Sequence, residues 1–196
     1  MQAYKPKMGQ LIKTDAGGAV DRGFIAHYQI LAADAIAAAV DYIEASTVLG
    51  VAVTTIALAD IDAQPPTPRV LSITGNAATV AGNVVITGTD ANGDALTDTI
   101  AANGAATVLG AKAFASVTQI ELPVAVAPAD EISVGMSDKF GIPYLLPYST
   151  VLLILNNATA TTVAATSGFS ATVLADNFID PTAALNAAQV DVYLIV

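Results

Sequence analysis

From about residue 47 to the last position, the chain is a succession of short runs rich in Val, Ile, Thr and Leu, each closed by Gly, Pro, Asn or Asp. The runs cover 48–58, 69–75, 82–90, 95–102, 113–123, 130–136, 149–156, 160–166, 171–175 and 189–196. Runs of this length and composition, bounded by turn residues, read as strands. No helix-length periodic segment separates them, so a parallel α/β arrangement is disfavoured. The pattern predicts an all-β protein with a single β-sandwich or barrel-like body. The segment "DAQPPTPR" (62–69) places three prolines in four positions. Proline fixes φ and donates no ladder hydrogen bond, so this stretch reads as a stiff linker leading into the body.

Upstream of the linker the texture differs. Residues 1–26 hold Pro6, a Gly17-Gly18 pair and scattered charges without a sustained period, and read as an extended N-terminal arm. Residues 28–45, "YQILAADAIAAAVDYIEA", are dominated by alanine, with Ile36, Val40 and Ile43 at i, i+4 and i+7. The spacing predicts one short Ala-rich helix, and an irregular or extended arm is the alternative. The expected organisation is therefore an arm (1–26), a connecting segment of helix or strand (27–61) and the β-body (62–196).

Charge constrains function more than fold. Charged residues make up 12% of the chain and hydrophobic residues 54%, against about 25% charged in ordinary globular proteins. Such a surface invites association unless other subunits cover it. The net charge is −10. Lys5, Lys7, Lys13 and Arg22, opposed only by Asp15 and Asp21, give the first 22 residues +2 and leave −12 for the rest. An acidic body repels phosphates, which excludes nucleic acid as its partner. The basic arm suits an acidic surface such as a neighbouring subunit. The absence of cysteine rules out disulfides and zinc–thiolate sites and fits assembly in a reducing cytoplasm. No signal peptide is expected, because the N-terminus lacks an apolar core segment. No membrane span is expected either, since the uncharged stretch 45–59 is too short.

The stretch "GTDANGDALTDTI" (88–100) is the best candidate for a chemical site. With Asp90 as first ligand of a calcium loop, the sixth position is Ala95 rather than Gly and the twelfth is Ala101 rather than Glu. A hairpin explains more, with Asn92-Gly93 supplying a two-residue turn. That register sets Ala91 against Asp94 and Val85 against Ile100, unless a one-residue bulge shifts it. The single histidine, His27, has no cysteine partner and reads as structural or exposed. No nucleophile elbow, phosphate loop or dinucleotide turn occurs. The acid pairs Asp130-Glu131 and Asp176/Asp180 read as solvated turn residues. The expectation is a non-enzymatic protein with no cofactor and no metal. Residues 140–175 carry no charge at all. They form either inner strands or a subunit interface, where charge is depleted and tyrosine enriched. Together with Lys5, Lys7, Lys13 and Arg22, the loop residues Phe140, Ile142, Tyr144 and Tyr148 are the candidate partner contacts.

The order of several motifs carries a resemblance. A Pro-Arg-led strand (Pro68, Arg69), "VVITGTDANGDALTDTI" (84–100), "GAKAFASVTQIELP" (110–123), "DEISVGMSDKFGIP" (130–143) and a closing "ALNAAQVDVYLIV" (184–196) together resemble a module of tailed-bacteriophage virion structural proteins. The likeness covers residues 67–145 well, 185–196 fairly and the first 60 poorly. It implies a capsid decoration, or cement, protein. Such a protein sits on the capsid exterior as a homotrimer, bridges major capsid subunits and is made in the host bacterial cytoplasm. A head-fibre or tail-tube protein is the alternative within virion parts. A carbohydrate- or receptor-binding β-domain is the alternative from another class, disfavoured by the absence of tryptophan and an aromatic content of 6%.

Overall fold

The computed structural model describes residues 23–196, together with the backbone of two short paired strands, β1 (Ile12–Lys13) and β2 (Ala19–Val20). The protein is all-β and sandwich-like, and no α-helix occurs among the described residues. A first sheet has the order β5 (Thr54–Ala57), β10 (Ser116–Leu122), β7 (Asn83–Thr89), β8 (Ala95–Ala101). A second has the order β14 (Phe178–Ile179), β11 (Glu131–Gly141), β6 (Arg69–Gly75), β9 (Thr107–Phe114), and β4 (Ala39–Val48) also pairs with β11. A third has the order β13 (Thr159–Thr161), β12 (Val151–Asn156), β15 (Val190–Ile195), β3 (Ile25–Ile30). All pairings are antiparallel.

Two apolar cores result. Val84, Ile86, Leu96, Ile100 and Ile120 from the first sheet meet Leu71, Ile73, Ile132, Val134 and Met136 from the second. The third sheet turns Ile30, Ile154, Val190, Val192 and Leu194 towards Phe140, Ile142, Leu146 and Ile179. Strand β11 serves both cores. Its pairing with β6 jumps from Met136 opposite Leu71 to Phe140 opposite Arg69. Ser137–Lys139 stand opposite the single residue Val70 and form a bulge that bends the strand from one core into the other.

The helix expected over 28–45 is not formed. The segment holds the end of β3, a single turn closed by Asp34 and Ala35 amides on the Leu31 carbonyl, and most of β4. Alanine's helix preference is outweighed by pairing with β15 and β11. Gly135 shows how close that pairing is: a Cβ there would stand 2.0 Å from the Ala39 carbonyl oxygen. A helix of ordinary radius has no room on that backbone.

Four strand expectations also change. Of the run 160–166 only the end of β13 (Thr159–Thr161) and an isolated bridge at Val163 are formed. The run 113–123 is divided at Ala115 between β9 and β10. The run 48–58 is interrupted by a loop between Val48 and Thr54, and 171–175 leads into a 3-10 turn, Leu174–Asp176. The hairpin stands where expected, but its register differs: Thr89 faces Ala95, Val84 faces Ile100 and Val85 faces Thr99. The loop has three residues, not two. Asp94 and Asp90 close it, Gly93 donates to the Asp90 carbonyl at 3.0 Å, and Gly93 alone takes positive φ, +87°. This is a type I turn followed by a left-handed residue. The one-residue shift puts Val84, Ile86, Leu96 and Ile100 on one buried face, which the two-residue turn would have split between faces.

Candidate interaction surface

The third sheet has one face in the second core, and no described element covers the other. Antiparallel register places Ile25, His27 and Gln29 of β3 beside Ile195, Tyr193 and Asp191 of β15, and Tyr193 and Asp191 beside Leu153 and Leu155 of β12. Alternation sends all of these to the outer face. That face is half polar. The His27 ring stacks flat on Tyr193, with centroids 4.6 Å apart, and its Nε2 lies 2.8 Å from Asp191 Oδ1. Gln29 and Gln189 amides donate to the same carboxylate at 3.0 and 2.8 Å. Burial pushes the Asp191 carboxyl up, but these amides and the imidazole outweigh it and hold it below the usual carboxylate range.

The other half is apolar. Ile25 is 69% exposed and Ile195 39%. The Phe24 and Val196 backbones exchange both hydrogen bonds at 2.9 Å, so β3 and β15 run together to the end of the chain. Beside that end lies a shallow groove lined by Gly23, Leu145, Pro147, Tyr148, Ile195 and Val196. Leu145 is 51% exposed and Tyr148 67%. Residues 1–22 join the body at Gly23, which lines this groove.

Of the eight predicted contact residues, Tyr148 is on this surface and Tyr144 is half-buried against the second core. Phe140 and Ile142 are a correction. They are 0% and 1% exposed, because β11 and the bond from Ile142 N–H to the Asn177 carbonyl carry them into the second core. Lys5, Lys7 and Arg22 lie outside the described residues. Lys13 pairs through its backbone with Ala19, and its side chain is outside the described residues as well.

The acidic candidates have structural partners. Asp90 is buried, and its Oδ1 accepts the Asn92 and Asp94 amides, so it shapes the loop rather than wetting it. Asp130 accepts the Thr79 hydroxyl and the Val126 and Ala127 amides, which hold its carboxyl below the usual range. Glu131 accepts the Ser46 hydroxyl, and Asp180 accepts Thr166 and lies 3.6 Å from Lys139 Nζ. Among the described residues no group of three or more His, Asp or Glu is placed to hold a metal ion, and no helix is long and apolar enough to cross a membrane.

The residue that sequence reasoning passed over is Arg69. Its guanidinium is fully buried in the β11 bulge. It donates to the carbonyls of Ser137 and Ile36 at 2.6 Å each and of Asp34 at 3.4 Å. The available signal was its place as the only arginine of the charge-poor body.

Neither a protein-family model, nor a curated protein, nor a solved structure matches the chain.

Proposed function

We propose that the protein is a structural part of a tailed-phage virion that binds the outside of the assembled capsid and bridges major capsid subunits. The observation that carries this reading, beside the motif order, is the exposed apolar strip of Leu145, Pro147, Tyr148, Ile195 and Val196, lined also by Gly23, where the basic N-terminal segment joins the body. A charge-poor body with such a strip suits burial against neighbouring subunits. A protein that binds only the assembled shell stabilises it by mass action, and many copies per particle multiply the effect.

The test is co-sedimentation of the purified protein with shells that lack it. Saturable binding and a raised disassembly temperature are expected. Removing residues 1–22 should weaken binding while the β-body stays folded, since among the described residues Phe24 is the first that pairs with the body, through Val196. Binding no tighter than that of an unrelated acidic protein overturns the reading. Rings or filaments of the purified protein, without shell binding, would point instead to a tail-tube or head-fibre part.

A further inference from the structure

Among the described residues, the outer edge of β3 is an open hydrogen-bonding edge. Phe24 pairs with Val196, and along the ladder Ala26, Tyr28 and Ile30 turn their backbone groups towards β15. Ile25, His27 and Gln29 therefore direct N–H and C=O groups away from the sheet, and among the described residues none of these groups has a backbone partner. Edge strands are ordinarily blunted by lysine, proline, a bulge or a covering element. Strand β3 has no lysine, arginine, aspartate, glutamate or proline, and its register with β15 is unbroken. The chain's own β1 and β2 pair with each other and stand outside the third sheet.

We infer that this edge, with the apolar groove at the Gly23 end of the sheet, receives the N-terminal segment of a second copy of the chain as an added strand. Chemistry and reach both favour that occupant. The first 22 residues carry +2 and the remainder −12, so the segment is drawn to a neighbour's body. With Ile12–Lys13 paired to Ala19–Val20, the eleven residues before the pair reach up to about 37 Å when extended, more than twice the radius of gyration of about 16 Å for a body of this size. Main-chain hydrogen bonds to Ile25, His27 and Gln29 supply affinity, and the groove at Leu145 and Tyr148 takes apolar side chains. Each copy gives one segment and accepts one. That contact is heterologous and closes into a ring when the rotation between copies allows. The inference rests on the self-association within the reading above. It is tested on isolated protein, so its failure is separate from a failure of shell binding.

The chain contains no cysteine, so introduced thiols report without background. Full-length Ile12→Cys protein bearing a tag is mixed with untagged Tyr148→Cys protein and joined with a short bis-maleimide. A tagged–untagged heterodimer is expected. Adding Ile25→Lys to the Tyr148→Cys partner should cut its yield at least tenfold. Residue 25 is exposed, so the lysine charges the open edge without disturbing the core, and circular dichroism confirms the fold. Placing both cysteines in one molecule is the control. Cross-linking only at monomer mass there, with no heterodimer in the mixture, shows that the segment covers its own body and overturns the inference. No product in either format also overturns it, as does a yield indifferent to Ile25→Lys.

Discussion

Arg69 illustrates how one residue can hold two cores together. A buried guanidinium is costly unless its donors are filled. Here carbonyl oxygens of the β11 bulge and of the turn before β4 fill them, with the Thr67 hydroxyl at 3.3 Å from Nε. Burial draws its pKa below the ordinary arginine value, and the Asp138 carboxylate partly restores it. Arg69→Met removes at least two charge-assisted bonds at about 1.5–3 kcal/mol each. The expected loss is about 3 kcal/mol or more, read as a lower urea midpoint at unchanged slope. Arg69→Lys keeps the charge but loses the planar fork and should fall between the two. Glu44 behaves oppositely. It is buried, its Oε2 has no partner, and burial, followed by the nearby Asp62 and Asp60 charges, raises its pKa despite the Thr47 hydroxyl on Oε1. A raised carboxyl favours the folded state when protonated and opposes it when ionised. Glu44→Gln should therefore raise the melting temperature at pH 7 and leave it nearly unchanged at pH 4. Asp130 has the reverse sign. Its depressed folded value stabilises the fold above the unfolded pKa, about 3.9, and that contribution is lost as pH falls through the folded value. Thermal melts of Asp130→Asn across pH 7 to 2 should show less stability at neutral pH and a shallower acid decline than the parent protein.

At the scale of elements, the β7–β8 hairpin separates what can be read locally from what cannot. Asn92-Gly93 marked the turn correctly, because such a pair tolerates positive φ. It is compatible with both two- and three-residue loops, and the choice depends on which register buries Val84, Ile86, Leu96 and Ile100 against the second sheet. Two glycines test this. Gly93→Ala meets open space but must hold φ near +87°, which costs about 1–2 kcal/mol. Gly88→Ala would put a methyl 1.9 Å from the Ser116 carbonyl oxygen across the β7–β10 pairing. Its cost should reach the upper end of about 1–3 kcal/mol or exceed it. Chemical denaturation of both variants checks the order; a larger loss at Gly93 would contradict the register. The misread helix over 28–45 has the same origin. Ile36, Val40 and Ile43 fit a helical stripe, yet only Ile43 is fully buried, and Val40 is 48% exposed. The pairing partner, β11, lies about ninety residues downstream.

For the whole molecule, the bent β11 decides which face is left for partners. Phe140 and Tyr148 belong to one charge-free stretch, and sequence gave no reason to treat them differently. The fold does: Phe140 fills the second core and Tyr148 stands beside the open groove. Phe140→Ala should cost about 3–5 kcal/mol of stability. Tyr148→Ala should change stability by no more than about 0.5 kcal/mol while lowering shell binding. Paired urea titrations and co-sedimentation assays check the contrast, and equal destabilisation by both would refute the assignment of surfaces.

Sequence alone determined that the chain is all-β, that residues 69–75, 95–102 and 189–196 lie in or close to strands, and that 90–94 turns. These follow from composition, local propensity and turn chemistry, which act within a few residues. Tertiary structure alone decided that 25–30 and 39–48 are strands, that β11 bulges around a buried arginine, that Phe140 points inward and that no described strand pairs with the outer edge of β3. Each of these is set by pairing between segments distant in sequence, and the free energy of that pairing overrides the local preference of the residues that make it.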